Sequence, residues 1–474
     1  MNILAALPGP SAMPILGWRG SALRFLADPI GYMDRLPART GLNAFVAGGS
    51  PPILLTTPNG QGSVFALGAA ANQAVLSDMA SYQSRPVPGP PESASFARRT
   101  AGLFSMNLEK HQQQRRLVQP AFHRQRVAGY HADMVDITTR ALDTWAVGET
   151  RDLLADVTRL SVTIANKSLF GVDADGDTFD LGARILEVIA LATSPVTMLP
   201  ASFPFNPRKR LVTLAADVEA RLRALVERKR ADPDANDVLA DLVRARDEAG
   251  DTLTDDELIG QTFLLFFAGH DTTRSALAWT LALLAQHPDI LGEVHEELRE
   301  TLHGAPPSLQ QLTTLPHLDA VVKESLRLFP PAPWTLRETA APVDLCGTQL
   351  PAGVEVMLSY YHTHRDPDLY PDPNRFRPAR WAGLTPPPYA YVPFGGGARL
   401  CVGAAFASQE LRLVLAMLLQ RFHPVFPQGA RVDRHTRLVL TPAGGLRLVL
   451  RAPGDAGAPI RLGGNIREMV ELPG

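Results

Sequence analysis

Near its carboxyl end the chain reads Phe394-Gly-Gly-Gly397-Ala-Arg399-Leu-Cys401-Val-Gly403, so that one cysteine stands in a glycine-rich turn with an aromatic before it and a cation close by. A lone thiolate held this way suits the iron of a haem. Glycines let backbone approach a flat macrocycle, backbone N–H groups can point at the sulfur, and Arg399 can meet an anionic propionate. Two other readings stay open at this point. A glycine-rich stretch before a helix can cradle phosphate, although the Lys-Ser/Thr ending of a phosphate loop is missing. A single cysteine is also commonly a buried structural residue.

A second constellation, Ala268-Gly269-His270-Asp271-Thr272-Thr273, interrupts the apolar run that begins Leu264-Leu265-Phe-Phe. Gly269 lowers helix propensity, and the Thr272 and Thr273 hydroxyls can bond to carbonyls one turn back, so a local opening of the helix is expected. A kink with satisfied polar groups is the plainer alternative. Residues one turn apart from Thr272 are Ala268, Leu264 or Leu265, and Gln261, a face of small, apolar and finally amide groups. Elsewhere, Glu324 and Arg327 share a helix face at i, i+3 just before Pro330-Pro331 ends that helix. His111 and Arg115 share one at i, i+4, a geometry able to grip an anion.

Taken in order and spacing, these segments resemble the cytochrome P-450 family over residues 108–450. By that resemblance Cys401 is the axial ligand of a haem b iron, and His111, Arg115, Ala268, Arg337, Phe394, Arg399 and Gly403 surround the haem. The family pattern likewise makes Asp271 the acid and Thr272 the alcohol that deliver protons to iron-bound dioxygen. The segment Tyr370-Pro-Asp-Pro-Asn-Arg-Phe-Arg-Pro-Ala-Arg380-Trp381 is similar to one that sends Arg380 back to Glu324 and Arg327, making a structural charge triad. Two departures stand out: the family often has tryptophan where this chain has His111, and glutamate where it has Ala379. Gln261, Leu264, Leu265, Ala268, Ala332 and Trp334 correspond to a mostly apolar substrate pocket. Gln261 there gives one directional hydrogen bond unless it serves a helix contact.

The reaction implied by the resemblance inserts one oxygen atom of dioxygen into a hydrophobic small molecule of fatty acid, terpenoid, steroid or polyketide type. Electrons are expected from a separate ferredoxin or flavodoxin with its reductase, because the chain ends about 70 residues after Cys401 with no fused reductase. Arg115, Arg116, Arg124 and Arg126 are candidate docking cations. A haem-thiolate peroxygenase or isomerase, and a non-catalytic haem sensor, are the competing functions; the Asp271-Thr272 pair argues against the first.

The elements that must position these groups are legible in part. Thr254-Asp-Asp-Glu257 is a capping box, and the apolar run after it continues to His287-Pro288, giving a helix of roughly 50 Å that crosses the core. Helical periodicity dominates from Leu108 to Leu328. The first hundred residues read as short extended runs such as Pro52–Thr57, and a hairpin-like segment, Leu438–Leu450, closes the fold. The fold class is therefore mainly α with minor β, and the resemblance implies the cytochrome P-450 fold, a long central helix over a haem with small sheet regions. The 474 residues, 45% hydrophobic, carry no linker or repeat, so a single domain over 1–474 is expected. Lys+Arg 46 against Asp+Glu 48 argues against nucleic acid. The proline-broken amino terminus is too short an apolar run for a transmembrane anchor, and two widely spaced cysteines suit a reducing compartment. These point to a soluble, bacterial, cytoplasmic monomer. Residues 85–99 and 191–205 resemble variable substrate loops, the second a lid or a weak membrane contact.

Overall fold

The computed structural model describes residues 7–9, 18–37, 40–47, 62–85, 93–99, 102–172, 176–192, 194, 207–436, 438–455 and 457–473. The extended run 52–57, residues 86–92 of the 85–99 loop and nearly all of 191–205 lie outside them.

The architecture is mainly helical with small sheets. The central helix runs Asp255–Gln286. The Thr254 hydroxyl accepts from Glu257 N at 3.3 Å while the Glu257 carboxylate accepts from Thr254 N at 2.9 Å, closing the capping box; Pro288 starts the next helix, Pro288–Leu302. From Ser275 onward the central helix is buried on every side: Trp279 stacks on Phe329 at 4.4 Å and donates to the Leu440 carbonyl at 3.0 Å. Helix Leu153–Phe170 packs along the first half, where Phe170 stacks on Phe266 at 5.2 Å. Gly269 eases this packing: a Cβ there would meet Leu169 Cδ1 at 3.1 Å, a tight contact that the leucine side chain would have to yield to. Helices Leu108–Val118, Pro316–Leu328 and Ala404–Arg421 bring the anion-gripping, glutamate and post-cysteine segments around this axis.

The main sheet has five strands in the order Gly41–Ala47, Gly62–Leu67, Glu355–Ser359, Trp334–Thr339, Tyr82–Gln83. Only the second and third run parallel, with Phe65 opposite Met357. Three sequence expectations change. Helices Trp18–Ala27, Pro29–Asp34, Ala69–Ser77 and Ala94–Arg99 occupy much of the first hundred residues. The helix is continuous through Ala268–Thr273, because Thr272 and Thr273 hydroxyls bond back to Ala268 O at 2.9 Å and Gly269 O at 3.2 Å within an unbroken helical turn. The 438–450 segment is not a hairpin: Leu440–Ala443 pairs with Asp433–Thr436, whereas Arg447–Arg451 pairs with Thr150–Asp152 and His423–Val425. The Gly444-Gly445 turn causes this, both residues at positive φ, with Leu446 N donating to the Asp152 carboxylate at 2.8 Å. No helix among the described residues is long and apolar enough to cross a membrane.

Candidate functional site

Cys401 sits at the end of a tightly folded loop. Its N–H donates to the Phe394 carbonyl at 2.9 Å, and Gly395 and Gly397 take φ of 71° and 63°. A Cβ on Gly397 would lie 2.0 Å from the Leu76 carbonyl oxygen, so only glycine lets the loop seat against helix Ala69–Ser77. Gly403 caps the helix that follows it. The thiol keeps open surface on one side, yet enough protein surrounds it that burial pushes its pKa up, opposed by the Gly403 backbone and by Arg115. A cation on the open side is what would hold it as thiolate.

Beside it lies a concentration of positive charge. His111 is 2% exposed, and burial together with Arg399, Arg115 and Arg337 lowers its pKa to about 4, so the imidazole is neutral; its Nδ1 is buried without a partner among the described residues. Arg399 is held down to about 10 by burial, Arg337 and Arg115. Burial likewise lowers Arg337 and Arg115. The guanidiniums are oriented by neutral acceptors: Arg115 by Leu400 O at 2.8 Å, Arg337 by Leu336 O at 2.6 Å and Thr335 Oγ1 at 3.1 Å, Arg399 by Leu103 O at 3.3 Å, Met106 O and Asn107 Oδ1 at 2.8 Å. Among the described residues no carboxylate compensates these three cations. A cluster of buried and half-buried guanidiniums with no acidic partner is costly unless it meets an external anion.

On the central helix, Leu264, Ala268 and Thr272 form the stripe that keeps accessible surface, Ala268 being exposed in mid-helix. Asp271 is buried and accepts from Arg274 Nε at 2.6 Å and Nη2 at 2.5 Å. Two of the expected pocket residues are buried. Leu265 is turned into the core, 6% exposed, one residue around the helix from the open stripe. Gln261 is fully buried, donating to Gln114 Oε1 at 3.0 Å and accepting from Leu103 N at 3.3 Å, so its amide ties the central helix to its neighbours. Ala332 is half-buried; Trp334 is half-buried with its ring 5.3 Å from Phe25 in an edge arrangement.

Glu324, Arg327 and Arg380 meet in near-complete burial. Arg327 grips the carboxylate with two bonds of 2.9 Å, and Arg380 Nε donates to it at 2.9 Å. Trp381 Nε1 adds a fourth bond at 3.0 Å and Arg377 N a fifth at 3.0 Å; Trp381 carries no distinguishing signal in the sequence beyond adjacency to Arg380. The spare guanidinium donors take the carbonyls of His364, Pro371, Asp372 and Pro373. His364 Nε2 then accepts from Val392 N at 2.9 Å, two residues before Phe394, so the charge cluster anchors the approach to the cysteine loop. Of the docking cations, Arg116 and Arg124 are exposed, whereas Arg115 turns inward and Arg126 is clamped by Asp241 at 2.6 and 3.0 Å.

Comparison with known proteins agrees with this geometry. The family model described as cytochrome P450 matches residues 50–449. Cyclooctat-9-en-7-ol 5-monooxygenase of Streptomyces melanosporofaciens is 36% identical over 66% of this chain and 70% of its own length, and cyclooctatin synthase of the same organism 31% over 93% and 94%. The solved structure of cyanobacterial CYP120A1 with bound retinoic acid superposes with a TM-score of 0.78 at 27% identity, covering 94% of this chain and 99% of that one. The cysteine loop, the acid-alcohol pair on a buried helix and the glutamate-arginine cluster thus occur in one architecture shared with these enzymes, and the chain belongs to the cytochrome P-450 family of haem-thiolate monooxygenases.

Proposed function

We propose that the chain binds haem b through the Cys401 thiolate and inserts one atom of dioxygen into a bulky, mostly hydrocarbon substrate of terpenoid type. The observation that carries the cofactor assignment is the set of one buried guanidinium, Arg337, two half-buried ones, Arg115 and Arg399, and the unpartnered His111 Nδ1 around Cys401, without a compensating carboxylate among the described residues. Two propionates would supply the missing negative charge, with Arg115, Arg337, Arg399 and His111 as donors. Phe394 and Gly403 bracket the ligand, and Ala268 offers a small surface for close approach of a flat ring. Haem bound there supplies a thiolate-ligated iron at which dioxygen is activated.

The protein's own part is proton handling and orientation. The Thr272 hydroxyl, anchored on Ala268 O, presents its oxygen to the open side of the helix. Asp271 carries the proton supply: release from the half-buried Arg274 frees Oδ1 to take up a proton from solvent and pass it on toward Thr272 Oγ1. Leu264, Ala268, Ala332 and Trp334 line an apolar pocket whose side chains exclude water and orient the substrate by shape. The substrate class rests on that apolar stripe together with the names of the two Streptomyces relatives, one acting on cyclooctat-9-en-7-ol. Electrons come from a ferredoxin or flavodoxin with its reductase, docking by its acidic face near the exposed Arg116 and Arg124. The enzyme works as a cytoplasmic monomer of one domain spanning residues 1–474.

The test is reconstitution with a surrogate ferredoxin and reductase after screening terpene alcohols for low-to-high-spin shifts. With labelled dioxygen, the product gains one labelled oxygen atom. Unlabelled product, or turnover supported better by hydrogen peroxide than by the reductase, contradicts the proposal.

A further inference from the structure

Arg399 is held by a single short stretch of chain, residues 103–107, and that stretch is pinned at both ends. Its guanidinium donates to Leu103 O at 3.3 Å, to Met106 O, and to Asn107 Oδ1 at 2.8 Å. At one end, Gln261 of the central helix accepts from Leu103 N at 3.3 Å, so residue 103 bridges the central helix to Arg399. Gln261 is itself fixed by its bond of 3.0 Å to Gln114, and both amides are almost completely buried. Gly102 allows the crossing: a Cβ there would lie 3.0 Å from the Gly260 carbonyl oxygen. At the other end, Asn107 clamps Ser84 with bonds of 2.7 Å from Ser84 N and 2.8 Å to Ser84 O, then offers the same Oδ1 to Arg399.

Every acceptor in this clamp is neutral, so none cancels the arginine's charge. Arg399 Nε is buried and lacks a partner among the described residues. A guanidinium whose Nη groups are fixed by neutral oxygens, with Nε left over, is aimed at one further anion. We propose that Gln261 and Asn107 are positioning residues for the cofactor: acting through the 103–107 backbone, they hold Arg399 in the orientation that binds a propionate. Their role rests on the haem-thiolate reading of Cys401. It also places Gln261 on the anionic edge of the haem site in place of the substrate pocket.

The experiment follows haem transfer from the purified holoprotein to excess apomyoglobin. Gln261→Met keeps size and removes both bonds; it is expected to speed haem loss about tenfold. Gln261→Glu, which still accepts from Leu103 N while Gln114 turns its amide to donate, returns the rate to within about threefold of the parent. The decisive readout is the double-mutant cycle with Arg399→Met. If Gln261 acts through Arg399, the double variant loses haem no faster than Arg399→Met alone. Should Gln261→Met not fold, Asn107→Ala at the other end of the clamp takes its place in the same cycle. Additive effects, or haem loss unchanged in both variants, overturn the proposal. A parent protein that takes up no haem contradicts the underlying haem-thiolate reading instead, which separates the two failures.

Discussion

Replacing Glu324 by glutamine changes one atom of a carboxylate and leaves the packing intact, so its consequence is almost purely electrostatic. In the parent, one negative charge meets two guanidiniums whose side chains are 0% and 5% exposed, and it accepts five hydrogen bonds. A glutamine retains one acceptor oxygen, turns an NH2 toward donors, and leaves two buried cations without a counter-charge. Removing one partner of a buried pair costs about 3–5 kcal/mol, far more than an exposed pair. The assay is urea unfolding of the holoprotein followed by far-ultraviolet circular dichroism and the Soret band together. Glu324→Gln should lower unfolding free energy by about 3–5 kcal/mol, with earlier loss of the Soret signal because His364 and Val392 link this cluster to the cysteine loop. Arg299→Gln, which breaks the exposed pair with Glu296, serves as the control and should cost under about 1 kcal/mol. Unfolding of Glu324→Gln within about 1 kcal/mol of the parent would show that the buried charge is not what holds this cluster.

Other expectations rest on the same geometry. Burial pushes the Glu410 carboxyl from 4.5 up to about 8, with Ser161 opposing; a folded pKa above the unfolded value means stability is complete below about 4.5 and lost as pH rises through 8. Glu410→Gln should therefore gain about 3 kcal/mol at pH 7, at roughly 1.4 kcal/mol per pKa unit, and flatten the stability profile between pH 5 and 8; an unchanged profile by chemical denaturation would count against it. Asp271→Asn should slow product formation about 100-fold or more, and Thr272→Ala should divert electrons to hydrogen peroxide, both read by comparing reductant consumed with product formed. Ala268→Leu fills the exposed position in mid-helix and should abolish the substrate-induced spin shift and lower the haem content of the purified protein, read from the Soret absorbance per chain; unchanged haem content and spin shift would remove Ala268 from the site.

How much of the fold and site is legible in the sequence depends on the range of the interaction. The capping box at Thr254 and Glu257 and the stop at Pro288 are local, and the structure repeats them. Glu324 and Arg327 are neighbours by helix geometry, and Arg380 joins them only through resemblance, since a 56-residue separation carries no periodic signal. Leu265 lies off the open stripe because a step of one residue turns a helix by about 100°, whereas Gln261 shares the stripe's face and is covered there by Gln114 and Leu103, contacts that no local pattern reveals. Alternation and a Gly-Gly turn in 438–450 look the same whether the flanking strands pair or part; the Asp152 carboxylate that redirects the turn is 294 residues away in sequence. Asn107 is inconspicuous in the sequence because its value lies in contacts with Ser84 and Arg399, neither of which a local pattern reveals.

Cys401, presented by its glycine loop beside the cationic cluster, is the proposed ligand on which the oxidising chemistry would depend. The absorption spectrum of the reduced protein under carbon monoxide, recorded for the parent and for Cys401→Ser, reads that ligand without intermediaries. The parent should show the red-shifted Soret band of a thiolate-ligated haem, and the variant should lose it. An unshifted, imidazole-type band in the parent, or a red-shifted band that survives the substitution, would remove Cys401 from the iron.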